Sequence, residues 1–306
     1  MTIQAINIGT VANDGTGDTP RQAGEVINSN FADPANAASK LVGTSFDQIP
    51  LNSDIVYPIE SVQNLAGLIG TQDDQQISLK GWHPDSDVGG GILYWDSTRA
   101  KSDHNGGTIF SPTVPFSVTT ANYLNATGEA DGGGTGCWVR TGDKNEIDIT
   151  SFGVFDKITV DVNNDAATQA VFDFAAINGS KIVNSGIRVR LSQMISLLPN
   201  TRYFIKGNIP TKSRVTYSTI QAASQAGAFS SFINTTSNVF DMGLNCVLTA
   251  RDTAFIGSEV DRTPGAFRLC APNGGNYHKV DFKGCAISGF NRAFDFVNGS
   301  YVQHVT

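Results

Sequence analysis

Apolar positions change period several times along the chain, and the changes divide it. Ile3, Ile6 and Ile8 alternate with polar neighbours until the turn-rich run Asn13-Asp14-Gly15-Thr16-Gly17-Asp18 interrupts them. Ala23, Val26, Ile27 and Phe31 then recur at helical spacing, behind Asp18 or Thr19 as N-cap and Pro20 where no amide is needed. The spacing predicts a short helix with one apolar face. A helix of about three turns is marginal alone, so that face is expected to meet another copy of the chain, a neighbouring protein, or residues 40–80.

Residues 36–78 are weakly periodic and read as a linker or stem with short ordered pieces such as Ser61 to Ile69. Strands and glycine turns follow: Ile92-Leu93-Tyr94-Trp95 after Gly89-Gly90-Gly91, Thr108-Ile109-Phe110 after Gly106-Gly107, and Cys137-Trp138-Val139 after the Gly132 to Gly136 cluster. They predict a small β domain at 79–147. The third region, 148–306, opens with a second helix, with Asn164 or Asp165 as N-cap, Ala170, Val171, Phe174 and Ala175 on one face, and Gly179 at the stop.

Beyond Ile182 no convincing helical run occurs, and short strands recur between Gly, Asn and Pro turns. Such a pattern makes either a sandwich or a parallel solenoid. A solenoid stacks each inward residue on its equivalent one coil later, with coils of about 20 to 30 residues. Cys246 and Cys270 lie 24 apart, and Val247-Leu248 superimposes on Leu269-Cys270 at that interval, which predicts about five coils.

Composition narrows the function classes. With 21 Lys+Arg against 28 Asp+Glu, the net charge of −7 disfavours a grip on nucleic acid. Charged residues at 16% and 32 glycines suit short strands and turns rather than a helix-rich enzyme. Met1 to Asp18 lacks the basic and apolar stretches of a signal peptide, and the uncharged Val215 to Phe240 is too polar for lipid, so no membrane insertion is expected. Cys137, Cys246, Cys270 and Cys285 form no C-x-x-C pair and are expected to be reduced and mostly buried. The Gly-rich loops stand between no strand and helix and precede no Lys-Ser/Thr, so they read as turns, not phosphate cradles.

Three stretches resemble bacteriophage tail proteins. Ile6-Asn7-Ile8-Gly9-Thr10-Val11-Ala12-Asn13-Asp14-Gly15-Thr16-Gly17-Asp18, with Ile27-Asn28-Ser29-Asn30-Phe31, resembles the virion-attachment segment of tail fibres and tailspikes. Leu79-Lys80-Gly81-Trp82-His83 through Gly89 to Asp96, with Asn105 to Ile109 and Gly136 to Arg140, is similar to the small β domain preceding the body of tailspike depolymerases. Ser151-Phe152-Gly153-Val154 leading into Asp165 to Val171 looks like the entry to a pectate-lyase-like right-handed parallel β-helix, whose open end a short helix caps. The usual Gly-Asp-Gly-rich turn between them is replaced by Asp156 to Asn164.

The resemblance implies a mainly β homotrimer: an attachment segment at 1–35, a stem, a small β domain and a truncated right-handed parallel β-helix. It also implies a virion location after assembly in the host cytoplasm, docking on tail or baseplate proteins, and recognition of a bacterial surface polysaccharide. Asn13, Asp14, Gly15, Thr16, Gly17, Asp18, Ile27 and Phe31 are the attachment candidates. Three functions stay open: an adaptor anchoring a receptor-recognising body, a capsular or O-antigen depolymerase (glycosidase or lyase) with its site already in these coils, and a free polysaccharide lyase.

Hydrolysis of a glycan needs two carboxylates about 5 to 9.5 Å apart, and Asp241, Asp252, Glu259, Asp261, Asp281 and Asp295 supply the late carboxylates. Asp252, Glu259 and Asp261, beside Arg251 and Arg262, form the nearest cluster and are the catalytic candidates; a solvated loop of alternating charges is the competing reading. His83 and His104 are expected to brace turns, and His278 to stand in a loop within reach of sugar. Asp85-x-Asp87 and Asn13-Asp14-x-x-x-Asp18 complete no calcium loop, so neither a metal nor a cofactor is expected. Phe294 to Val302 reads as a coil in progress without a polar cap after it, so the chain is expected to be the front of a longer spike with most of its groove beyond residue 306.

Overall fold

Glycine-punctuated short strands have little local driving force, so their order comes from stacking on neighbours distant in sequence. The computed structural model describes residues 5–8, 10, 15–32, 56–84, 86–116, 119–142, 145–156, 164–208, 230–258, 263–270, 278–297 and 302–305. Residues 1–57 form one unit and 58–306 another.

In the first unit, helix α1 (Pro20–Ala32) starts where the sequence places it. Thr19 is its cap: Gln22 N donates to Thr19 Oγ1 (3.3 Å), and Thr19 N donates back to Gln22 Oε1 (2.9 Å), so each side chain satisfies an amide of the other.

The second unit opens with a five-stranded sheet in the order β1-β2-β3-β5-β4, from β1 (Tyr57–Ile59), β2 (Gln76–Gly81), β3 (Gly89–Ala100), β4 (Ile109–Phe110) and β5 (Thr135–Arg140), in which β2–β3, β3–β5 and β4–β5 pair antiparallel. The sheet region thus starts earlier than the 79 expected. Val62 and Leu65, on a 3-10 turn at Val62–Leu65, are fully buried, because isolated apolar residues without period still fill a core. Trp82 and Trp138 are buried with indole N–H groups donating to Gly106 O and Leu68 O, both at 2.8 Å. Helix α2 (Thr120–Leu124) adds the buried Tyr123.

The remainder is a parallel β-helix. Sheet I contains β6 (Glu146–Asp148), β7 (Lys181–Val183), β10 (Arg202–Lys206), β13 (Val247–Arg251), β16 (His278–Lys283) and β19 (Val302–Val305) in spatial order. Sheet II contains β8 (Arg188–Leu191), β11 (Ser231–Asn234), β14 (Ala254–Ile256) and β17 (Ala286–Ser288). Sheet III contains β9 (Ile195–Leu197), β12 (Phe240–Met242), β15 (Thr263–Cys270) and β18 (Phe290–Val297). Every pairing within these sheets is parallel, which excludes the sandwich.

Inward residues pile in register: Val189, Phe232, Phe255 and Ile287 on sheet II, and Ile195, Phe240, Phe267 and Phe294 on sheet III. Phe232 stacks on Phe255 at 6.0 Å and 12°, and Phe240 on Phe267 at 5.9 Å and 14°. The coil interval is not a constant 24. Ile182 pairs with Ile205 in the next coil, but Tyr203 pairs with Leu248, because the second coil carries extra chain between β10 and β11. Val247-Leu248 and Leu269-Cys270 accordingly lie on different sheets, and four complete three-strand coils plus β19 are present among the described residues.

Helix α3 (Asp165–Asn178) closes the near end, and Gly179 ends it in the left-handed conformation (φ 69). Its buried residues are Ala167, Thr168, Val171, Phe172 and Ala175. Phe172, not Phe174, is the inward aromatic, with ring centres 5.7, 6.3 and 5.1 Å from Tyr203, Phe232 and Phe240. Phe174 lies half-buried against Phe152 at 5.4 Å.

Three devices cover the near edges of the three sheets. Strand β6 pairs on β7 of sheet I. Asp156 takes the Arg188 amide (3.3 Å) and guanidinium (3.0 Å) at β8 of sheet II. Gln169 and Asp165 bind the backbone at Ser196 and Ser192 beside sheet III.

Candidate functional site

Of the attachment candidates, Asn13, Asp14 and the Phe31 side chain lie outside the described residues. Of the remaining ones, Thr16 and Asp18 are tied to Asn7 ahead of α1, and Ile27 lies on α1. Asp18 N donates to Asn7 O (2.7 Å), Asn7 N to Asp18 Oδ2 (2.8 Å), and Asn7 Nδ2 to Thr16 O (2.9 Å). Gly15 turns the loop with φ 73. Gly17 and Asp18 are half-buried, while Gly15 and Thr16 are exposed. No α1 residue from Pro20 to Ser29 is buried; Ile27 is 42% exposed, and Ile8, directly after Asn7, is 89% exposed. Fixed polar geometry therefore holds apolar side chains in solvent.

The entry motif at 151–154 joins the small sheet to the β-helix. Gly153 (φ 85) ends the 3-10 turn Ile149–Phe152 and lies so close to the Trp82 ring that a Cβ there would stand 2.7 Å from it. Its carbonyl contacts His83 Nε2 at 2.7 Å. Arg140 is half-buried and donates to the carbonyls of Gly89 (2.9 Å) and Gly107 (2.8 Å) as well as to Gly90; desolvation of its guanidinium lowers its pKa to about 10. Its guanidinium organises both Gly-rich turns from inside. A cavity of about 500 Å³, with Arg140, Asp148, Phe174 and Asn178 among its lining, lies at this joint.

His104 braces a turn as expected: Ser111 N donates to its Nδ1 (3.0 Å) and its Nε2 meets Tyr123 O (2.8 Å), the pattern of a neutral ring. His278 departs from expectation. It opens β16 and is fully buried, out of reach of any sugar, because it begins a strand and not a loop. Cys137 and Cys246 are buried free thiols that burial pushes up to about 12, and Cys285 is a half-buried free thiol.

Glu259 and Asp261 lie outside the described residues. Asp252 occupies the corner between β13 and β14 in a left-handed conformation (φ 50), with its amide donating to Lys283 O (3.0 Å). Other late carboxylates meet arginines: Asp281 takes Arg251 Nη1 (3.1 Å) and Nη2 (3.0 Å), Asp241 lies 3.6 Å from Arg268, and Asp295 3.4 Å from Arg292. Burial raises the Asp241 pKa against the opposing pull of Arg268.

The outer face of sheet I gathers residues that the sequence did not single out. Lys206, Arg251 and Lys283 end successive strands and pair in register. Beside them Lys181 contacts Glu146 (3.3 Å), and its ammonium lies 5.9 Å from the centre of the Phe204 ring. Together with Asp252 these side chains line a cleft of about 390 Å³. Each of the three in-register cations precedes a corner residue (Gly207, Asp252, Gly284), a recurrence visible in sequence only once the uneven coil intervals are known.

Among the described residues no group of three or more His, Cys, Asp or Glu is placed to hold a metal, and no helix is long and apolar enough to cross a membrane. Residues 58–143 match the family described as phage tail protein small four-stranded beta-sheet domain. No curated protein sequence matches the chain. Among solved structures, a full-length tailspike protein 2 from an Escherichia coli O157:H7 bacteriophage is similar at 16% identity and TM-score 0.53, over 88% of this chain and 32% of that one. The tailspike of Acinetobacter phage vB_ApiP_P1 shares 18% identity at TM-score 0.51, over 83% and 40%. Pantoea stewartii WceF, described as a glycan biofilm modifying enzyme with a tailspike-like parallel beta-helix fold, shares 18% at TM-score 0.50, over 81% and 33%. The chain is tailspike-like in fold and spans two fifths or less of the length of these three proteins.

Proposed function

We propose that this chain is the virion-proximal part of a homotrimeric phage tailspike, anchoring a body that recognises host polysaccharide to the tail or baseplate. The observation that carries this reading is the order of parts: a polar-locked segment presenting Ile8 and Ile27 to solvent, then a sheet of phage-tail type, then a capped parallel β-helix. In this reading Gly15 to Asp18, with Asn13 and Asp14, set the shape of the segment, while Ile27 and Phe31 supply its apolar contact. Deleting residues 1–35 should abolish incorporation into particles; normal incorporation would remove the attachment role. Sedimentation should give three times the chain mass, and a monomer would remove the trimer.

The second reading is a polysaccharide depolymerase with its site in these coils. It draws support from Asp241, whose raised pKa favours the protonated form that a general acid needs. Asp252, Glu259 and Asp261 remain its other candidates. New reducing ends or unsaturated sugars released from capsule by the 306-residue chain would favour it; no release leaves the anchor.

A further inference from the structure

We infer that the outer face of sheet I binds a linear acidic saccharide laid across the strands, parallel to the axis of the β-helix. The inference rests on the proposed encounter with bacterial surface polysaccharide and adds the chemistry of what is bound. Lys206, Arg251 and Lys283 face one another on adjacent strands, roughly 4.8 Å apart per step, so three cations span about 10 Å. Like charges on neighbouring strands repel and weaken a sheet. Here they are stacked in register in a chain whose net charge is −7.

Local pairing cancels only part of this row, although Asp252 adds a carboxylate to the same cleft. Arg251 is held by Asp281 and Lys181 by Glu146, whereas Lys206 and Lys283 are exposed and have no ion pair among the described residues. Phe204 lies half-buried within the same cleft and offers the apolar face on which a sugar ring packs its C–H groups. A row of positive charge beside one aromatic platform fits a polymer that carries a carboxylate on successive sugars and an apolar ring face between them. An isolated anion would use one cation and leave the row unexplained.

The test uses the full chain and labelled hexamers of galacturonic acid and of sialic acid, with maltohexaose as the neutral control and a thymidine oligonucleotide as an alternative polyanion. At least one acidic hexamer should bind, weakening as salt rises, while maltohexaose should not. The double variant Lys206→Gln, Lys283→Gln should bind that hexamer at least tenfold more weakly and unfold at an equal or higher temperature, because repulsion has been removed. Lys80→Gln, on the small sheet, should bind as the parent does. Binding of neither acidic hexamer, unchanged binding by the double variant, or equal or tighter binding of the oligonucleotide would overturn the inference. If the double variant does not fold, Lys283→Gln alone must show the weakened binding, and unchanged binding there overturns it equally. Particle incorporation depends on residues 1–35, so failure here leaves the anchoring reading standing, and failure of incorporation leaves this site standing.

Discussion

Gln169 holds the backbone of Ser196 as a neighbouring strand would: Ser196 N donates to Gln169 Oε1 at 2.9 Å, and Gln169 Nε2 donates to Ser196 O at 2.9 Å. One turn earlier Asp165 takes the Ser192 amide at 2.8 Å, so one face of α3 completes the open edge of sheet III. The cap is therefore polar as well as apolar. It seals the core with Phe172 and ends the ladder with side-chain amide and carboxylate.

Replacing Gln169 with Leu should remove both bonds at an edge that water can reach. At about 0.5–1.5 kcal/mol per bond, the loss of unfolding free energy should be about 1–3 kcal/mol. Hydrogen exchange at the Ser196 amide should accelerate in the same variant. Unchanged exchange would show that the edge is held by something else.

Phe172 and Phe174 give a sharper comparison, because the helical spacing favoured the latter. Phe172→Ala should cost about 3–5 kcal/mol, the usual range for a buried aromatic. Phe174→Ala, at a half-buried position against Phe152, should cost clearly less. Denaturant midpoints that reverse this order would contradict the assignment of the inward face.

Burial holds the His104 imidazole below its ordinary 6.5, and its Nδ1 accepts from the Ser111 amide, so the folded state favours the neutral ring. As pH falls below about 6.5 the unfolded chain takes up a proton that the folded chain refuses. The stability contribution is thus complete above that pH and declines on acidification toward the lowered folded value. His104→Gln should flatten this part of the pH–stability profile. An equally steep acid decline in the variant would assign the effect to other groups.

Elements set by local chemistry were legible in the sequence. The helix start behind Asp18 or Thr19, the stop at Gly179 and the glycine turns around Arg140 needed no knowledge of distant partners. The 24-residue register failed because a coil tolerates insertion at a corner without disturbing its strands, so Tyr203 meets Leu248 while Phe232 meets Phe255. The Lys206, Arg251, Lys283 row was hidden for the same reason: its members align only through that uneven register. His278 was misread because a Gly-Gly-Asn-Tyr approach resembles a loop, yet its ring lies in the core.

The central claim is that the segment before α1, together with α1 itself, is the part of this chain that touches the virion. Ile27 replaced by a photoreactive benzoylphenylalanine, in assembled particles, tests it most directly. Irradiation followed by mass spectrometry should give an adduct between position 27 and a tail or baseplate protein, with none from the same probe at Lys283. Adducts confined to other copies of this chain, or none at all from particles that contain it, would contradict the account.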